Sequence, residues 1–393
     1  MPTIMEGRNT CQHHRSSVLQ GLGIHHHQSA GRREPDQPMA HPKTGGYLPV
    51  PNVQALAQTW NGSGDLVPDR YVRTEEATAE EVVAGCALPV VDLGRLLDPR
   101  SSEEELANLG SACQHWGYFQ LIHHGVPEEV IRDVRRDIAE FFKLPLEAKK
   151  ACAQAPDDIQ GYGQGFVFSE KQKLDWADMI YLKLRPMESR NMRFWPAQPP
   201  SFRNSVDRFS TEVVKLTSSL LRLMAVDMGV EPERLLEKFG GQPQTMKVTY
   251  YPPCRQAGDV LGLSPHTDAC AVTLLLHVND VQGLQIRRDD GRWLAVEPLE
   301  GAFIVNVGDT LQMLSNGKYK SVEHRVTVHP DKERVSAAMF HQLLPNTTVG
   351  PLPELVKGSG GARYRSVDYT DFMKHFFSTK HDKGLSHLDH YRI

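Results

Sequence analysis

Apolar and polar positions divide the chain into three textures. Residues 1 to 45 are rich in His, Gln, Arg, Gly and Ser, as in HHRSS and IHHHQS, and carry no apolar period, which predicts a disordered tail. A period sets in at LPVVDLGRLL, residues 88 to 97, where a short strand precedes Ser101, Ser102, Glu104 and Glu105. That spacing is a capping-box signature and predicts a helix through ELANLGSACQHWG. YFQLI reads as a strand. PEEVIRDVRRDIAEFFKLP begins on Pro127 and sets Ile131, Val134, Ile138, Phe141 and Phe142 on one helical stripe. A longer amphipathic helix runs through Phe209, Val213, Leu216, Leu220 and Leu223, and both stripes predict core packing.

After about residue 244 the texture changes. MKVTYY, AVTLLLHV, LQIRR, WLAVEP, AFIVNV, LQMLS, RVTVHP and RVSAAMFHQLL read as short strands, punctuated by DDGR, VGD and SNGK. Many short strands at this spacing predict a sandwich or barrel, of which the two-sheet jelly roll is one form. YTDFMKHFFSTK, with Tyr369, Phe372, Met373 and Phe376, reads as a closing helix packed on that barrel. The expected architecture is α+β, a double-stranded β-helix (jelly-roll) core with an N-terminal helical region and a C-terminal helix. In chain order this is a tail over 1–45, an N-terminal helix and strand region over 46–200, and over 201–393 the core with its long support helix and C-terminal helix.

Composition narrows the function classes. The chain has 393 residues, 40% hydrophobic and 23% charged, enough for a sizeable core. A net charge of −4 argues against an electrostatic grip on nucleic acid. The six cysteines, Cys11, Cys86, Cys113, Cys152, Cys254 and Cys270, form no Cys-x-x-Cys pair, so a reducing compartment is expected. No apolar run approaches a membrane span, which leaves the cytosol, with the nucleus open as well. Met39 is a candidate alternative start.

The candidate chemistry begins in LSPHTDACAVTLLLHV. His266 and Asp268 stand two apart, and in an extended chain such positions share a face and can converge on one point. A lone His-x-Asp pair is most often a turn and strand cap. His324, 56 residues after Asp268 in KSVEHRVTV, changes that weighing. Two histidines and one carboxylate on one face of an octahedron, with three positions open, suit a non-haem iron(II) oxygenase, whereas a closed structural zinc site would want a fourth protein ligand. Arg334 and Ser336 lie ten and twelve residues further on, again sharing a strand face. A guanidinium fork beside a hydroxyl can grip a carboxylate in a way that lysine cannot.

HTD at 266 to 268, EHR around His324 and RVS at 334 to 336 resemble the iron(II)/2-oxoglutarate-dependent dioxygenases of plants. The resemblance spans roughly residues 47 to 393. LPVVDLGRLL, CQHWGYFQLIHHGV and FFKLPLEAKK are similar to that family's N-terminal region, and VTYYPPC and AFIVNVGDTLQMLSNGKYKSVEHRV to its core. PNVQALAQ, VPDRYVR, GYGQGFVFSEKQKLDWADMIY and LDHYRI resemble its senescence-related, alkaloid-demethylase-like branch. The resemblance implies that His266, Asp268 and His324 bind Fe(II), and that Arg334, Ser336 and Tyr251 hold the distal carboxylate of 2-oxoglutarate. Dioxygen is the second cosubstrate, and ascorbate is a supporting reductant. Thr249 and His123 depart from the family, which has Asn at both places.

The activity implied is hydroxylation or oxidative demethylation of an aromatic specialised metabolite, such as an alkaloid, an indolic compound or a phenylpropanoid, by a monomer that needs no partner chain. Phe340 resembles the position that stacks on ring substrates in flavonoid relatives, and Tyr162, Phe166, Lys247 and Gln342 are further pocket candidates. Two alternatives stand beside this. One is oxidative inactivation of a small acidic hormone, for which Lys247 is the basic group in view. The other is a metal-binding barrel that no longer turns over, against which the intact His266, Asp268, His324, Arg334 and Ser336 set argues.

Overall fold

The computed structural model describes residues 47–63, 66–73, 82–165, 167–378 and 387–393. The expected tail over 1–45 and the pocket candidate Phe166 lie outside these residues. Among the described residues no helix is long and apolar enough to cross a membrane, and Cys113, Cys152, Cys254 and Cys270 are free and buried.

Among the described residues the α-helices of six residues or more are α1 (Val53–Ser63), α2 (Ser102–Ser111), α3 (Glu128–Lys143), α4 (Phe202–Met228), α5 (Asp309–Leu314) and α6 (Tyr369–Ser378). The strands used below are β1 (Val82–Cys86), β2 (Val90–Asp92), β3 (Tyr118–Ile122), β4 (Gly161–Gly163), β5 (Asp178–Arg185), β6 (Gln244–Tyr251), β7 (Leu263–His266), β8 (Val272–His277), β9 (Leu284–Arg287), β10 (Trp293–Val296), β11 (Phe303–Val307), β12 (His324–Val326) and β13 (Arg334–His341).

Strands β6 to β13 form the jelly roll. Four of them, β11-β8-β13-β6, are the centre of an eight-stranded sheet ordered β2-β3-β11-β8-β13-β6-β5-β4; the others, β10-β9-β12-β7, belong to a five-stranded sheet begun by β1. Strands from before residue 200 therefore complete both sheets.

Strand parity explains the core. On β6, Met246, Val248 and Tyr250 face outward and join Leu274 and Leu276 of β8 and Ala337 and Met339 of β13 in one apolar cluster. Helices α3 and α4 cover that face with Val134, Ile138, Phe141, Phe209, Val213, Leu216 and Leu220. The alternate residues, Lys247, Thr249 and Tyr251, are left to the barrel interior.

Three local expectations change. LQMLS is helical, in α5 with Ser315 as its cap, rather than a strand: a five-residue run with three apolar positions fits either period, and here the chain turns at Gly308 as it leaves β11. Ser101 precedes α2 but makes no capping bond; its hydroxyl donates to the Arg95 carbonyl, while Glu105 accepts from the Asp92 amide and pairs with Arg95. The stripe of α4 continues through Met224 more deeply than through Leu223, which is only partly buried.

Phe209 is fully buried on α4 and stacks on Phe303 of β11, with ring centroids 6.1 Å apart. Phe209→Ala is expected to cost about 3–5 kcal/mol, read as a lower urea midpoint with an unchanged slope.

Candidate active site

The closing strands of the smaller sheet set the geometry. β12 pairs antiparallel with β7 so that His324 stands opposite His266, with ring centroids 4.2 Å apart. The chain then leaves β7, and two residues on the Asp268 carboxylate turns back: its Oδ1 lies 3.7 Å from His266 Nε2 and 3.8 Å from His324 Nε2. Among the described residues this is the one group of three His, Cys, Asp or Glu side chains placed to hold a metal ion, with ligand atoms within 4.8 Å of one another.

Surrounding bonds orient each donor. His266 Nδ1 lies 2.8 Å from the Ser264 carbonyl and His324 Nδ1 lies 3.2 Å from the Val322 carbonyl. A carbonyl accepts only, so each Nδ1 carries the proton and each Nε2 lone pair is left for a metal. Asp268 Oδ2 accepts from Thr273 Oγ1 at 2.6 Å and from Asn306 Nδ2 at 2.8 Å, which leaves Oδ1 facing the imidazoles. Burial, and then the His324 ring, push the His266 pKa far down, so its ring is neutral. Burial opposes charge on Asp268, yet the two imidazoles and the Thr273 and Asn306 bonds outweigh it and hold the carboxyl below its ordinary value.

A second polar seat lies further along the same interior face. β13 pairs with β6 so that Arg334 stands opposite Tyr251 and Ser336 opposite Thr249. Arg334 is 1% exposed, its Nη1 donates to Ser336 Oγ at 3.2 Å, and its guanidinium lies 5.1 Å from the Tyr251 ring centre. Its Nε and Nη2 are buried with no acceptor. A buried guanidinium with two idle donors fits a carboxylate arriving from outside the chain. The donor set of the triad likewise fits Fe(II), whose three remaining positions stay open.

Residues 88–198 match the family model described as non-haem dioxygenase in morphine synthesis N-terminal. Residues 242–343 match that of the 2OG-Fe(II) oxygenase superfamily. The "2-oxoglutarate-dependent dioxygenase 11" of Oryza sativa subsp. japonica is 53% identical over 348 residues, 88% of this chain and 97% of that one. The chain belongs to the 2OG-Fe(II) oxygenase superfamily. The "Oxoglutarate-dependent flavonoid 7-O-demethylase 1" of Ocimum basilicum is 41% identical over 349 residues, 89% of this chain and 92% of that one. A solved structure described as JOX2 in complex with 2OG, Fe, and JA superposes with a TM-score of 0.79 at 36% identity, covering 88% of this chain and 98% of that one. This oxygenase is thus an enzyme that uses Fe(II), 2-oxoglutarate and dioxygen.

An aromatic cluster lies beyond the triad. Phe340 stands beside Thr273, the residue that bonds Asp268, and packs, as Tyr47 and Phe377 do, against the cluster of Ile159, Met179 and Tyr181. Lys247 projects inward one row away, paired in register with both Tyr181 and Ala338, and burial lowers its pKa. Gln342 reaches the Tyr181 hydroxyl.

Tyr162 does not belong here. It pairs with Ile180, out of phase with Tyr181, so its ring faces the helices, 5.7 Å from Phe141, and its hydroxyl accepts from Asn52. The two family departures are also placed. His123 has φ +47°, a left-handed conformation that Asn and His both tolerate, and it pairs with Asp92. Thr249 keeps a hydroxyl facing the Tyr251 phenol.

Several site residues escape a reading by motif: Tyr47, Tyr181, Phe377, Thr273, Asn306 and Gly308. Two of them left a trace, since Thr273 and Asn306 are polar interruptions of apolar strands. Gly308 sits so close to the ligand loop that a Cβ would lie 2.1 Å from the Cys270 carbonyl. Asn306→Ala removes one of two donors to Asp268 Oδ2 and is expected to weaken metal binding about 10–100-fold, measured by Co(II) titration of the purified protein.

Proposed function

We propose that this oxygenase oxidises a planar, ring-bearing small molecule, hydroxylating a C–H bond or removing an O- or N-methyl group. The aromatic cluster of Tyr47, Tyr181, Phe340 and Phe377, joined to the triad through Phe340 beside Thr273, carries this reading. Rings stacked there gain on the order of 0.5–1.5 kcal/mol each beyond burial. His266, Asp268 and His324 hold Fe(II), and Arg334, Ser336 and Tyr251 hold the distal carboxylate of 2-oxoglutarate. Bound iron supplies the activation of dioxygen. One oxygen atom enters 2-oxoglutarate, which leaves as succinate and carbon dioxide; the other enters the substrate. A methyl group hydroxylated on oxygen or nitrogen then departs as formaldehyde. The chain contributes placement: the anchor orients the keto acid, and the aromatic cluster presents one carbon to the metal.

Lys247 supports a second reading, an acidic substrate of the hormone type. The carboxylates nearest it electrostatically are Asp175 and Asp268. Both are engaged elsewhere, Asp175 by Ser264 and Arg73 and Asp268 by Thr273 and Asn306. An incoming carboxylate would meet an ammonium already inside the barrel.

Purified protein with Fe(II), ascorbate and 2-oxoglutarate is expected to form succinate when offered methoxylated flavonoids, indoles or alkaloids, with formaldehyde where a methyl is lost. Succinate only with carboxylic acids, and its loss in Lys247→Met, would favour the second reading; no succinate from any pool would mark a barrel that binds without turnover. His324→Ala is expected to abolish iron binding and turnover together. Arg334→Lys loses the fork and should raise the 2-oxoglutarate requirement about tenfold or more, and an unaltered requirement would move the anchor elsewhere.

A further inference from the structure

His277 ends β8 opposite Ser336 of β13, and Thr249 of β6 stands opposite Ser336 on its other side. The three side chains therefore share the interior face of the barrel. The His277 ring is 4% exposed, and both of its nitrogens are buried without a hydrogen-bond partner. Burial first, and then the charges of Arg334 and Arg135, hold its pKa down to about 3, so the ring is neutral and carries one N–H donor and one acceptor. Arg135 is itself occupied, donating from Nε to the His277 carbonyl at 2.8 Å.

Four buried polar atoms on this interior face thus lack partners: Arg334 Nε and Nη2, and both ring nitrogens of His277. A buried polar group left unpaired is costly, and native structures leave few. Arg334 can fill two of the roughly four lone-pair positions of a carboxylate. The rest fall to donors on the same face. Ser336 accepts from Arg334 Nη1 and keeps its hydroxyl proton to donate, the Tyr251 phenol is a second such donor, and His277 stands on the same face with no partner for either ring nitrogen.

We propose that His277 is a further cosubstrate-binding residue, whose ring N–H donates to the distal carboxylate of 2-oxoglutarate beside Arg334, Ser336 and Tyr251. The inference rests on the reading of Arg334 and Ser336 as the seat of that carboxylate. Leucine at this position would keep the volume and lose the donor; glutamine would keep a donor.

The test uses the full chain loaded with Mn(II), which supports binding without turnover, and two probes followed by calorimetry. N-oxalylglycine carries the distal carboxylate, and oxalate carries only the metal-chelating end. His277→Leu is expected to weaken N-oxalylglycine about tenfold or more, to leave oxalate and Mn(II) affinity unchanged, and to be rescued by His277→Gln. Should the leucine variant not fold, His277→Phe keeps a ring without the donor and is expected to give the same selective loss. Parental N-oxalylglycine affinity in these variants, or an equal loss for both probes, overturns the proposal. Arg334→Lys separates the two failures: if it weakens N-oxalylglycine while His277→Leu does not, His277 alone is misassigned; if neither weakens it, the seat itself is elsewhere.

Discussion

The structure turns on one strand pairing. Because β12 lies antiparallel against β7, two histidines 58 positions apart in the chain face each other with their Nε2 atoms turned to one carboxylate oxygen. Gly308 holds the other side of that arrangement: its amide donates to the Ala271 carbonyl, and the next amide, of Asp309, donates to the Asp268 carbonyl. The end of β11 is therefore stitched to the ligand loop by main-chain bonds, and the loop has little freedom to carry Asp268 away from the imidazoles.

The jelly roll makes that pairing compatible with stability. The eight-stranded sheet gives one face to the helices and one to the interior, and it separates the two jobs by parity. Outward residues, such as Val248, Leu274, Leu276 and Met339, are apolar and fully or almost fully buried against α3 and α4. Inward residues are freed from that duty, so polar groups such as Thr273, Lys247, Ser336 and Arg334 can occupy them. The interior is divided in turn. Leu284, Ile286, Leu294 and Ile304 pack one part of it, leaving the polar groups gathered around the triad and the Arg334 seat.

Unmet hydrogen-bonding capacity is present at the working surface, as it is at scattered buried groups such as Trp176 Nε1 and Trp195 Nε1. Asp268, His266 and His324 each spend one polar atom on the protein and hold the other toward the centre. Arg334 does the same with two of its nitrogens, and His277 with both of its ring nitrogens. These groups carry their desolvation cost in the free protein and recover it only with a ligand in place. That is the expected behaviour of a preorganised site.

Much of this was legible in the amino-acid sequence. Spacing of two on a strand puts Arg334 and Ser336 on one face whatever the fold around it, so that pair could be read locally; His266 and Asp268 were legible as a pair, but β7 ends at His266 and the turn after it brings the carboxylate back. Long apolar stripes likewise announced α3, α4 and α6, because a helix of that length must bury one face. What the sequence could not decide was everything that depends on which strand lies beside which. Residues brought together by register, such as Thr273 and Asn306 on Asp268, His277 beside Ser336, and Phe340 beside Thr273, have no common motif. Tyr162 shows the converse: it was a pocket candidate, yet a one-residue difference in strand phase turns it to the helices. LQMLS became α5 because contacts of Gly308 with the ligand loop outweighed a five-residue pattern that fits both periods. Local chemistry thus set which groups could react, and strand register, a property of the folded chain alone, set which of them meet.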